Sequence, residues 1–154
     1  MLLTGLFVGV TDIIAAHLSV WIQSGNFPTR VLQYIAGGAL GLETSMEGGV
    51  GIALLGLAFH FFIATWWTLV FFVALPKLNF LQFNKYVVGF FYGYFVGACM
   101  TFIVLPLSAL PNSPFVLSKA ILGWSILGAV LGIPIAISAY RYYNIKITAS
   151  TIGG

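Results

Sequence analysis

Charge is what this chain has least of. Six basic and three acidic residues leave only 6% of its 154 residues charged, against roughly 25% in a soluble domain. A chain so composed cannot cover a water-facing surface with polar groups, so its solvent must be lipid. The basic residues form no cluster, which excludes a nucleic-acid partner. The single cysteine, Cys99, lies within an apolar run, so neither an intramolecular disulfide nor a CxxC-type metal site can form. Segments of about ten residues alternating apolar and polar, the mark of a membrane barrel, are absent. No positive segment with a small-residue cleavage site follows Met1, so no cleavable leader is expected. GxSxG, P-loop and paired-carboxylate patterns are missing too, and no enzyme is expected.

What is present is apolar: 60% of the residues are hydrophobic, in blocks of roughly twenty that suit bilayer-spanning helices. The pattern predicts one all-α transmembrane domain over 1–154, a four-helix bundle with spans at about 2–22, 50–75, 86–105 and 119–140. A break with Gly25, Asn26 and Pro28 follows the first span. A short helix over 31–46, with Thr29 as its N-cap, is too short to span and too apolar to stand in water. It is expected to lie in the interface or re-enter the bundle. Loops at 76–85 and 108–118 and a polar tail from Arg141 complete the chain.

Four spans put both termini on one side. Lys77, Lys85, Arg141 and Lys146 lie there, with Arg30 and Lys119 opposite. The excess of positive charge predicts cytoplasmic termini. Trp21 at one boundary and Tyr140, Tyr142 and Tyr143 at the other fit aromatic belts.

Helices in lipid associate through close packing of small residues. At 100° per residue, Gly5, Gly9, Asp12, Ala16 and Ser19 share one stripe of span one. Gly49, Ala53, Gly56, His60 and Trp67 share one of span two. Span three carries Gly89, Gly93 and Gly97, and span four Gly128, Gly132 and Ala136 near Ser125. Pro134 must remove a backbone hydrogen bond inside span four.

Asp12 needs the most explanation. An aspartate at mid-span costs ~2.5 to 3.5 kcal/mol on insertion scales, so it should face inward and find a partner. His60 lies at similar depth on its own small stripe. The pair can be a register-fixing clamp, or a site for a ligand or a proton. His17, with Glu43 and Glu47 from the short helix, makes a weaker candidate cluster. It lacks any established metal spacing, and no metal site is predicted. No cofactor is predicted either, although His17 and His60 raise the alternative of a haem held between two helices. Aromatics near the inner end (Trp66, Trp67, Phe71 and Phe72, then Phe90, Phe91, Tyr92, Tyr94 and Phe95) suit core packing or a lipid-facing surface, or a cleft for a quinone or isoprenoid.

The ordered set Val31-Leu32-Gln33-Tyr34-Ile35-Ala36-Gly37-Gly38, His60-Phe61-Phe62-Ile63-Ala64, Pro76-Lys77-Leu78, Tyr92-Gly93-Tyr94, Leu105-Pro106-Leu107-Ser108-Ala109 and Gly132-Ile133-Pro134-Ile135-Ala136 resembles an uncharacterised family of small four-span bacterial inner-membrane proteins, distantly similar to YagU-type proteins. The resemblance covers about Asp12 to Arg141. It implies a multi-pass protein of the bacterial cytoplasmic membrane, and supplies no activity or catalytic residue. Members of that family often carry a histidine in the later spans. Spans three and four here have none, which counts against a multi-histidine metal site.

The expected function is therefore that of a membrane protein binding or passing a small solute, lipid or proton at Asp12 and His60. One rival is an accessory subunit that docks a partner or a second copy through a glycine face. The other is a haem- or isoprenoid-binding protein.

Overall fold

The computed structural model describes residues 2–25, 29–111 and 114–143. The expected loop residues Asn26, Pro28 and Asn112, the side chain of Thr29, and the tail with Lys146 lie outside the described residues. Among those described, every regular element is helical. Four helices are long and apolar enough to cross a bilayer: Leu2–Ile22, Gly49–Ala74, Lys85–Leu107 and Leu117–Tyr142. They carry large apolar side chains outward, with Leu3, Phe62 and Leu107 among the most exposed. Such a surface suits hydrocarbon, and the chain is a multi-pass, all-α membrane protein in contact with the lipid bilayer.

The elements run α1 (Leu2–Ser24), α2 (Thr29–Leu40), α3 (Leu42–Glu47) and α4 (Gly49–Ala74), then a 3-10 turn (Asn79–Gln82) and α5 (Lys85–Cys99). A π-turn (Met100–Val104) leads into α6 (Leu105–Leu107). After the third loop come α7 (Leu117–Leu127), a second π-turn (Gly128–Gly132) and α8 (Ile133–Tyr142).

The short helix expected over 31–46 is two helices. The chain breaks at Gly41, whose φ of 85° is open to glycine and strained for any residue with a Cβ. The pair is no surface float. Ala36 and Ser45 are fully buried, and Gly56 of α4 lies directly under the Leu32 carbonyl. Gly56 stands seven residues into α4, about 10 Å along its axis, so α2 packs into the bundle beside the first half of span two. Ala109 of the third loop donates its N–H to the Gly38 carbonyl at 2.9 Å, closing that end.

Span three starts where Asn84 caps it, accepting the N–H groups of Tyr86 at 2.9 Å and Val87 at 3.4 Å. It continues past Pro106 rather than stopping there. In spans three and four a proline follows a π-turn by two residues. The residue just before each proline bonds five back instead of four: Leu105 to Met100, and Ile133 to Gly128. The wider turn accommodates the missing proline N–H, so the expected break at Pro134 takes the form of a π-turn.

α1 packs on α4 and on span four, and α5 packs along the whole of span four. The core gathers at the end of the bundle beside the second loop, where Phe71, Phe72, Leu75, Ile135, Ala136, Ala139 and Tyr140 are almost fully buried. Two tyrosines fasten span four there. Tyr140 donates its hydroxyl to the Leu81 carbonyl, and Tyr143 donates to that of Phe72 at 3.0 Å.

Candidate functional site

Asp12 and His60 meet because α1 carries glycine, at positions 5 and 9, where it lies closest to α4. A Cβ on Gly9 would stand 2.6 Å from the Phe61 ring, and one on Gly5 2.9 Å from the Thr65 hydroxyl. With the helices this close and antiparallel, His60 reaches the backbone of α1. It donates Nε2–H to the Gly9 carbonyl at 2.9 Å. The same nitrogen lies 3.8 Å from Asp12 Oδ2, with side-chain exposures of 11% for His60 and 17% for Asp12. That separation is an electrostatic contact, longer than a hydrogen bond. Both residues lie near the middle of their helices, where hydrocarbon is the solvent outside.

Thr11, next in the chain, adds a link the sequence reading missed. Its hydroxyl bonds the Val8 carbonyl at 2.9 Å and stands 3.4 Å from the Val130 carbonyl of span four. Val130 lies within the second π-turn, so Thr11 links α1 to the irregular stretch of span four. Nothing in the side-chain pattern marks that carbonyl as an acceptor.

The weaker candidates do not assemble. His17 turns back on its own helix, donating Nδ1–H to the Ile13 carbonyl at 2.6 Å. Glu43 and Glu47 are exposed on α3. Among the described residues, no three His, Cys, Asp or Glu side chains come together to hold a metal ion. A haem between His17 and His60 does not fit the geometry either. About 12 Å of helix rise separates His17 from Gly9, the residue His60 touches, and the His60 Nε2 already serves that carbonyl.

The aromatic set divides. Phe71 and Phe72 are core, with Phe71 edge-on to Tyr92 at 4.7 Å between ring centres. Phe91, Tyr92 and Phe95 join Val70 and Ala74 around an apolar cleft of about 650 Å³ between spans two and three. The Tyr92 hydroxyl donates to the Trp67 carbonyl at 2.6 Å. A second cleft of about 800 Å³ lies at the other end of the bundle, between Tyr34, Phe102, Leu105, Phe115 and Lys119.

The glycine row of span three is filled from within the chain. Gly89 lies against Gly132 and Ala136, Gly93 against Gly128, and Gly97 against the Trp124 ring. Polar links reinforce this seam. Trp124 donates Nε1–H to Thr101 Oγ1 at 3.2 Å. The Tyr94 hydroxyl meets Ser125 Oγ at 2.6 Å, while Ser125 donates to the Ile121 carbonyl at 2.7 Å. A partner subunit cannot use the face that span four already covers.

Comparison of the chain with protein-family models, curated proteins and solved structures gives no match.

Proposed function

We propose that this multi-pass membrane protein takes up and releases a proton at Asp12 and His60, with its termini on the cytoplasmic side of a bacterial inner membrane. The observation that carries the reading is an acid and an imidazole 3.8 Å apart at mid-span, beside a backbone carbonyl that orients the imidazole. An isolated charge at that depth is expensive. A carboxyl and an imidazole together can stay neutral overall, as an ion pair or with the acid protonated and the imidazole neutral. Such a pair changes its net charge only when a proton enters or leaves.

The orientation is supported by the ends of the helices. Lys77 and Lys85 flank the second loop, and Tyr140 ties the end of span four, with Arg141, to the same loop. Arg30 and Lys119 lie at the opposite end. Placement in a bacterial cytoplasmic membrane rests on the family resemblance.

Infrared difference spectroscopy of the full chain in lipid membranes tests the proton site. One protonated-carboxyl band is expected to titrate with pH, to vanish in Asp12→Asn and to shift in His60→Gln. Helicity should be unchanged in both variants. An Asp12→Asn spectrum identical to the parent at every pH would sink the reading.

The apolar cleft between spans two and three favours a second reading, the holding of an isoprenoid or lipid chain. Its walls are almost wholly hydrocarbon and aromatic, as in sites for extended apolar ligands.

A further inference from the structure

The cleft at the outer end differs in kind from the one between spans two and three. Its floor is apolar, formed by Phe102, Leu105 and Phe115, with the two phenyl rings 5.3 Å apart. Lys119 and Tyr34 bring polar groups to its wall. Its volume, about 800 Å³, lies within the range of small-molecule sites. Lys119 stands in the first turn of α7, and Val116, the residue before that helix, offers no side-chain cap. The lysine and the helix start therefore present positive charge together. The acidic residues at this end, Glu43 and Glu47, are exposed on α3 and are not part of the cleft wall.

An apolar slot with one cation beside it, at the end of a bilayer-spanning helix, matches one class of molecule. We infer that the cleft seats a single anionic phospholipid from the adjoining leaflet. The phosphate pairs with Lys119, and an acyl chain lies across the paired rings of Phe102 and Phe115. The charge on the wall selects the headgroup, and the aromatic floor holds the chain. The inference is independent of the proton site, which lies at mid-span on other helices.

The test uses the full chain in mild detergent, titrated with phosphatidylglycerol or with phosphatidylcholine of the same acyl chains, and bound lipid is counted by native mass spectrometry. One phosphatidylglycerol is expected to be retained in preference to phosphatidylcholine. Lys119→Gln should weaken that preference about fivefold, the worth of one lysine at an anionic membrane surface. Phe115→Ala should weaken retention of both lipids, and Lys85→Gln, at the other end of the bundle, should leave the preference intact. Equal retention of the two lipids by the parent overturns the inference. So does a preference that survives in Lys119→Gln or falls equally in Lys85→Gln. Displacement of phosphatidylglycerol by inorganic phosphate alone would make the cleft a free-anion site, and overturns it as well.

Discussion

At the scale of single residues, the glycines of span three decide how closely the helices approach. A Cβ at Gly93 would press into the Gly128 backbone, whereas one at Gly51 would meet nothing within 4 Å. Gly93→Ala is therefore expected to destabilise the bundle by about 1–3 kcal/mol, as overpacking does. Gly51→Ala should be neutral or gain up to about 1 kcal/mol from helix propensity. Reversible unfolding in mixed micelles measures both, and equal effects would refute the packing assignment. The glycine seam was readable because small residues four apart share a face. The approach of Asp12 to His60 was readable in the same way, since each sits on such a stripe. The Gly9 carbonyl was not. It is a backbone acceptor, and nothing in the side-chain pattern says which carbonyl an imidazole will find. Lys119 was visible only as an orienting charge, because the cleft beside it comes from segments distant in sequence.

At the scale of elements, hydrophobic length was enough to find the four spans, and short breaks were harder to see. The turn between α2 and α3 is one residue, Gly41, in a run otherwise suited to helix. Its φ of 85° and ψ of 152° lie in a region essentially reserved for glycine, costing about 1–3 kcal/mol for other residues. Gly41→Ala should lower stability by that amount and loosen α2 and α3 first. Amide hydrogen exchange would then show faster exchange at residues 32–47 than in α5. Uniform exchange across the chain would contradict this. Asn84, an asparagine just before an apolar run, is of a type that caps helices, but the sequence reading placed it only in a loop. The π-turns were not legible either. Proline marks where a hydrogen bond must be lost, but neighbouring packing decides whether the helix bends, ends or widens.

At the scale of the whole molecule, the two large clefts lie at opposite ends, and the Asp12–His60 contact lies between them in depth. Orientation decides which leaflet each end meets. Single cysteines in a Cys99→Ser background test it. Glu43→Cys is expected to react with an impermeant maleimide on intact cells, and Lys77→Cys only after the membrane is opened. The reverse pattern would invert the molecule. The π-turn in span four bears on the molecule as a whole as well. It holds one more residue than the α-turn it replaces, so everything after Gly132 is rotated by about 100° from an uninterrupted helix. A deletion of one residue between 128 and 132 would restore regular winding. It would leave Ile135, Ala139 and Tyr140 at the angles they hold now, toward the core and the Leu81 carbonyl, because dropping one residue turns the helix back by the same 100° that the wide turn takes up. At this turn the backbone absorbs one residue of length and keeps both halves of the span facing their neighbours.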